Sequence, residues 1–305
     1  MDLYAAPQVK SLVTNYPEVD GTITSPTANI AGNIILGYDG NSTAADDVIL
    51  MSGVNMSTTM HKLVLEVDLG DATMRAYKNW LRANGKSSDE VSVVEYFIQD
   101  AQVRDKIGSE IDIAAFQGKA TFAASTANPI KDTVAGFRAL LKAGSALGTP
   151  TVHVTTTGPI TKANAVDKLE TMYSNVDQAM QVMGLAIVVS FKTYNDFRMN
   201  YHNVYQNSVA EEYIMGSTYM GSRFHLGAGK TYVIPFAGMG SDDSVIMTPL
   251  SNLAYLYDID SAFDTLDIQK IGFKHKILGR MPIGFGVRKM TTKWCYINDR
   301  LVTLS

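Results

Sequence analysis

A single cysteine, Cys295, stands among 305 residues, so an intrachain disulfide and a cysteine-built zinc site are both excluded. It lies in an apolar, strand-like stretch, Trp294-Cys295-Tyr296-Ile297, where a thiol is expected to be buried and inert. Charge is scarce: charged residues make up 18% against 46% hydrophobic, and the net charge is −4. No block of Lys and Arg appears, which argues against a sequence-specific nucleic-acid binder. Long apolar runs are missing too. The longest, Leu185 to Val189 with Phe191 beyond Ser190, is far too short to cross a bilayer. The first residues lack the basic head and apolar core of a signal peptide. The chain is expected to be soluble, made in a cytoplasm and without a membrane partner.

Catalytic punctuation is equally sparse. The five histidines, His61, His153, His202, His225 and His275, show no i, i+4 pair and no His-Glu-x-x-His, so spacing asks for no metal. A Gly-x-Ser-x-Gly elbow is absent. Leu226-Gly227-Ala228-Gly229-Lys230-Thr231 invites a phosphate-loop reading, but Phe224 stands where the motif needs its first glycine. The segment also opens an apolar β run from Tyr232 to Phe236 rather than a helix, so a turn is expected. Asp46-Asp47 and Asp242-Asp243 lack the alternating acidic spacing of a calcium loop and read as solvated turns. No catalytic, cofactor-binding or metal-ligating residue is assigned, and none of the chemistry points to an enzyme.

What is present is a sequence of elements. Residues 1–28 carry Pro7, Pro17 and Pro26 without helical periodicity and read as an extended arm with little to pack against. Residues 29–69 alternate apolar and polar positions (Ile34, Leu36, Val48, Leu50, Leu63, Leu65, Val67) around Gly37-Tyr38-Asp39-Gly40-Asn41, the pattern of a long β-hairpin. Isolated hairpins are marginal in water, so this one is expected to reach away from its own core and lie on a neighbour. Met51, Met56 and Met60 fall in the same stretch; flexible thioethers suit adaptable contacts and cores alike.

The clearest helix runs from about 88 to 117. Ser87 and Glu90 have capping-box spacing, Val91, Val94, Ile98, Ala101, Ile107, Ile111 and Ala114 keep largely to one face, and Gly118 is expected to close the helix in left-handed geometry. Such a helix is roughly 45 Å long. Further helices are expected from Asn128-Pro129 to Gly144, over about 164–183 with Gly184 as the stop, and over 193–206 with Thr193 as the N-cap. The last places Tyr194, Phe197, Tyr201 and Tyr205 at i, i+3, i+7 and i+11, a core or contact face. Short strands follow at 186–191, 231–234 and 245–247. A terminal meander is expected over 266–278, 282–290 and 294–304, with turns at Gly279 and Asn298-Asp299. The sum is an α+β protein, and its low charge suits a surface that meets other subunits.

The run Ile107-Gly108-Ser109-Glu110-Ile111-Asp112-Ile113-Ala114-Ala115-Phe116-Gln117-Gly118 resembles the end of the spine helix in tailed-phage major capsid proteins of the Hong Kong 97-type fold. The order of elements is similar as well. The resemblance implies an N-arm (1–28), an E-loop hairpin (29–69) and a peripheral domain (70–145) with the spine helix at 88–117. It further implies a mainly axial domain (146–265) and terminal β segments (266–305) returning to the peripheral domain. Residues 70–86, including Trp80, do not fit the simplest layout and read as an insertion. The implied function is self-assembly, as hexamers and pentamers, into an icosahedral shell around double-stranded DNA bound without sequence specificity. Scaffolding, portal and decoration proteins are the implied partners, and the implied location is the virion capsid, assembled in the host cytoplasm. Some members crosslink an E-loop lysine to a neighbour's asparagine; Lys62 is the sole lysine in 29–69, and a solvated lysine is the competing reading. The rivals are an encapsulin-like nanocompartment shell, a soluble enzyme with a site assembled from distant residues, and a tail-tube protein.

Overall fold

A computed structural model of the chain describes residues 8–30, 49–68, 71–86, 103–121, 129–147, 150–206, 211–213, 220–224, 230–258, 267–271 and 274–303. In chain order the elements are α1 (Val9–Leu12), β1 (Thr14–Pro17), β2 (Thr22–Ile30), β3 (Ile49–Ser57), β4 (Thr59–Asp68) and α2 (Asp71–Ala83). They continue with α3 (Val103–Gln117), α4 (Ile130–Thr133), α5 (Phe137–Ser145), β5 (His153–Thr155), α6 (Ala165–Ser174) and α7 (Gln178–Met183). Next come β6 (Ala186–Val189), α8 (Phe191–Tyr205), β7 (Glu211–Tyr213), β8 (Met220–Arg223) and β9 (Tyr232–Pro235). The chain ends with β10 (Val245–Thr248), β11 (Leu253–Tyr257), β12 (Asp267–Ile271), β13 (Lys274–Val287), β14 (Tyr296–Asn298) and α9 (Asp299–Thr303).

The described strands form three sheets. A seven-stranded sheet has the order β5-β14-β10-β6-β9-β8-β7. A five-stranded sheet runs β1-β11-β13-β12, with β4 also on β13, and β2 and β3 form a ribbon of their own. All four residues of β6 are buried, the signature of a strand covered on both faces. Alternation then divides its side chains between two cores. Ala186 and Val188, with Ile234, Ile246 and Ile297, pack with Ile107, Ile111 and Ala114 of α3, Phe137 and Leu141 of α5, and Tyr255, Ile283 and Phe285 of the five-stranded sheet. Ile187 and Val189, with Val233, Val245 and Met247, pack against Val166, Leu169 and Tyr173 of α6, Met180 of α7, and Tyr194 and Phe197 of α8. The layers are thus sheet, helices, sheet, helices. Phe116 ties them together: its ring lies 5.3 Å from that of Phe137 and 4.5 Å from that of Phe236.

Several elements depart from the sequence expectation, each for a local reason. Val103–Gln117 is helical, whereas the capping box at Ser87 and Glu90 lies outside the described residues. The stretch read as an insertion contains helix α2. Gly118 does not take a positive φ; Ala120 does, at 49°. A Cβ on Gly118 would stand 2.4 Å from the Val134 carbonyl oxygen, and one on Gly136 2.5 Å from that of Ala114. The glycines are there because two backbones touch, with Gly136 N–H donating to the Gly118 carbonyl at 3.1 Å. That contact also breaks the helix expected over 128–144, since Val134 and Gly136 are extended where they cross α3. The helix expected over 164–183 is likewise two, because the Asp177 carboxylate caps a new start at the Ala179 N–H. Gly184, with φ 88°, is the expected stop. Ser190, not Thr193, caps α8, its hydroxyl accepting from the Thr193 N–H.

The C-terminal meander is corrected too. β13 runs unbroken through Gly279 because β4 pairs with it from Lys274 to Ile283. Asn298-Asp299 is the junction of β14 and α9 rather than a hairpin turn. Within the segment expected as an arm, residues 14–17 are not free: β1 pairs in parallel with β11 of its own chain, while residues 1–7 lie outside the described residues. The expected hairpin is displaced. Its ladder joins 22–30 to 49–57, while Thr59–Asp68 belongs to the five-stranded sheet. The glycine turn at 37–41 lies outside the described residues.

Candidate assembly surface

The ribbon of β2 and β3 has a packed base, and its ladder continues beyond it. Ile23, Ser25, Val54 and Met56 face inward, whereas Thr22, Thr24, Asn55 and Ser57 face solvent or the surface. Met56 is 3% exposed and clusters with Ala254 and Leu256 on the outer face of the five-stranded sheet. Gly286 makes room for it: a Cβ there would fall 2.2 Å from the Met56 sulfur. The base is closed by Thr58, whose N–H donates to the Gly21 carbonyl at 2.8 Å. Beyond Ser25 and Val54 the ladder continues from Pro26↔Gly53 to Ile30↔Ile49, about 3.4 Å per residue. Among the described residues no third strand joins it.

The N-terminal segment is held differently. Asp112, 4% exposed in the middle of α3, accepts from the backbone N–H groups of Gln8 and Val9 at 3.0 and 2.9 Å. Burial pushes its carboxyl up to about 6, against the downward pull of the Val9 and Gln8 N–H donors. Val9 and Leu12 enter the core beside Ile107 and Ile111.

The acidic pair at 242–243 is a joint rather than a solvated turn. Asp242 pairs with Arg138 at 2.7 Å and accepts from the Ser244 N–H and hydroxyl. Asp243 accepts from the Ile160 N–H at 3.0 Å and pairs with Arg300 at 3.1 Å. Asp299 accepts from the Thr157 and Gly158 N–H groups. Burial there works against the charge, but those donors prevail and its carboxyl stays below the usual range. Arg138 of α5 thus holds the loop at Asp242, while Arg300 and Asp299 of α9 hold Asp243 and the 157–158 backbone, an arrangement spacing alone could not reveal.

The other residues singled out in the sequence do not converge. His61 meets the Thr133 hydroxyl at 2.8 Å, the His153 ring lies tilted against that of Tyr296 at 5.6 Å, His202 is exposed on α8, and His275 sits opposite Val67 on β13. His225, Gly227, Gly229, Asp46 and Asp47 lie outside the described residues. Among the described residues no three potential ligands gather as a metal site, and no helix is long and apolar enough to cross a membrane. Cys295 is buried, its thiol pushed up to about 11 by burial. Tyr194 and Phe197 are core, whereas Tyr205 reaches the surface. The methionines separate: Met56 is buried and Met60 is 41% exposed. Apolar side chains also stand out at Val182 (71%) and Met183 on α7 and at Phe191 and Met199 on α8. Lys62 lies in β4, opposite Arg280, and not in the ribbon.

No family model matches the chain, and no curated protein matches it in sequence. Solved structures do match its fold. A chain of the cyanophage A-1(L) capsid asymmetric unit aligns over 98% of this chain and 93% of its own, at 16% identity and a TM-score of 0.58. A chain of the satellite phage P4 procapsid that includes the size determination (Sid) protein aligns over 98% and 96%, at 12% identity and a TM-score of 0.57. A chain of the holo-SrpI encapsulin complex from Synechococcus elongatus PCC 7942 aligns over 100% and 89%, at 11% identity and a TM-score of 0.53.

Proposed function

We propose that this chain, which has the fold of tailed-phage major capsid proteins, is itself one, building an icosahedral shell around double-stranded DNA. The carrying observation is that nearly the whole chain aligns with phage capsid chains that it covers almost end to end. The ribbon supports the same reading. A two-stranded sheet is marginal alone, so β2 and β3 gain most by lying on another copy, as an E-loop does. In this reading the ribbon, 22–57, is the E-loop. The five-stranded sheet with α3 is the peripheral domain, and the seven-stranded sheet with α6, α7 and α8 is the axial domain. Each contact can be weak, because hexamers, pentamers and shell closure multiply it. The ion pairs of Asp242 and Asp243 and the backbone donors on Asp299 tie separate segments of the subunit together, as a body that rotates during maturation needs.

The role is structural rather than catalytic. Assembly takes place in the host cytoplasm with a scaffold and a portal as partners, and the product is the virion capsid. DNA is held without sequence recognition, which suits a net charge of −4 and a sequence in which Lys and Arg form no block. The encapsulin match supports a second reading, a nanocompartment around a protein cargo, through the same fold at a lower TM-score. Negative-stain microscopy of the overexpressed full chain, with the contents of purified particles assayed, separates the two. Shells holding DNA support the capsid, and shells holding a single cargo protein support the compartment.

A further inference from the structure

On the outward face of β4, Met60, Lys62, Val64 and Glu66 are all exposed. Lys62 stands directly opposite Arg280 in the antiparallel ladder, and Arg280 is exposed as well. Cross-strand neighbours have Cβ atoms about 5 Å apart, and like charges at that spacing repel. Among the described residues neither cation has an ion pair or a hydrogen bond. The pairs on either side are Met60↔Pro282 and Val64↔Leu278; Glu66 is opposite Lys276, and Asp267 of β12 is opposite Leu278. The subunit thus carries two adjacent, unneutralised cations, flanked on β4 by Met60 and Val64 at 41% and 49% exposure.

We propose that Lys62 and Arg280 form a two-cation seat for a carboxylate of a second copy of this chain. The inference rests on the shell reading above. A carboxylate placed between an ammonium and a guanidinium turns their repulsion into two charge-assisted bonds. The apolar flanks favour a protein occupant: Met60 and Val64 gain from burial against another subunit and gain nothing from a phosphate chain. Nucleic acid calls for an unbroken run of cations tracking a backbone; β4 supplies only Lys62, and the further lysines on that face of β13, Lys276 and Lys274, stand opposite Glu66 and Asp68. Suitable partners are plentiful, since acids outnumber Lys and Arg 30 to 26, and Glu18, Asp20 and Asp167 are exposed.

The test uses the purified full chain, followed by light scattering and electron microscopy across protein and salt concentration. Replacing both cations, Lys62→Gln with Arg280→Gln, is expected to raise the concentration at which shells appear by about tenfold or more and to flatten the dependence on NaCl. The melting temperature of the unassembled subunit should hold or rise slightly, because a repulsion has been removed. Charge reversal, Lys62→Glu with Arg280→Glu, should abolish assembly with the subunit still folded, and Lys62→Arg should assemble normally. If the wild type assembles and the glutamine variant matches it in concentration and salt dependence, the seat does not exist. If that variant assembles normally but binds added double-stranded DNA less tightly than the wild type in a gel-shift titration, the cations serve nucleic acid and the proposal is equally overturned. A wild type that never assembles defeats the shell reading, and this inference with it.

Discussion

The buried carboxylate of Asp112 caps a helix 103 residues away in sequence, accepting the Val9 N–H at 2.9 Å while its other oxygen takes the Gln8 N–H. A four-residue helix such as α1 has too few internal bonds to persist alone. It exists because α3 supplies the missing acceptor and a groove for Val9 and Leu12. The two helices therefore stand or fall together, which gives the first expectation.

Asp112→Ala leaves a buried N–H at Val9 and a half-buried one at Gln8 without their acceptor and should cost about 2–3 kcal/mol. In the folded variant the segment before Thr14 should be cut by protease faster than in the wild type. Denaturant unfolding and timed proteolysis measure the two effects.

Acid acts on this site with a definite sign. The carboxyl is raised from 3.8 to about 6, chiefly by burial, so the folded chain holds this proton more tightly than the unfolded one. The stabilising contribution is full below about pH 4 and is lost as pH rises through 6. Unfolding free energies at pH 4, 5, 6 and 7 should lose up to about 3 kcal/mol from this group, and Asp112→Asn should lack that slope.

His61 has the opposite sign. Burial lowers its pKa below 6.5, against the upward pull of the Thr59 and Met281 backbone. Its contribution is present above pH 6.5 and is lost as pH falls below that value. The His61 ring resonance should titrate below 6.5 in NMR, and His61→Gln should be less sensitive than the wild type between pH 7 and 5.

Gly118→Ala tests the backbone contact. Gly118 lies just past the end of α3, and a Cβ there, 2.4 Å from the Val134 oxygen, forces α3 and the 134–136 segment apart. The substitution should destabilise by about 3 kcal/mol, read as a lower melting temperature.

Met56→Ala separates folding from assembly. Removing a side chain 3% exposed from beneath the ribbon should cost about 2–4 kcal/mol and loosen its base. Thermal melts should report the loss, and shells should form more slowly than the loss of folded protein explains.

The parts of this fold legible in sequence were those written as local period. The apolar face of Val103–Gln117, the buried strand at Ala186–Val189 and the stop at Gly184 depend on neighbours within a few residues; the strand, expected to 191, ends at Val189 because Ser190 caps α8. What escaped was set by contacts between distant segments. Nothing near Gly118 announces that the 134–136 backbone will lie on it, so a packing glycine passed for a left-handed cap. Asp242 and Asp243 passed for solvent-facing turns because Arg138 and Arg300 are far away in sequence. The hairpin was placed too late because the alternation in β4 looks the same whether its partner is β3 or β13. Lys62 was visible as a lone lysine, but its neighbour Arg280 emerges only from the register.

The most direct test is a cryo-EM reconstruction of particles formed by the full chain, resolved well enough to trace each subunit. The expected result is a closed icosahedral shell in which the 22–57 ribbon of every subunit lies across the adjacent copy. A chain that stays monomeric at every concentration and salt tried, or a shell whose ribbons fold back on their own subunits, would contradict it.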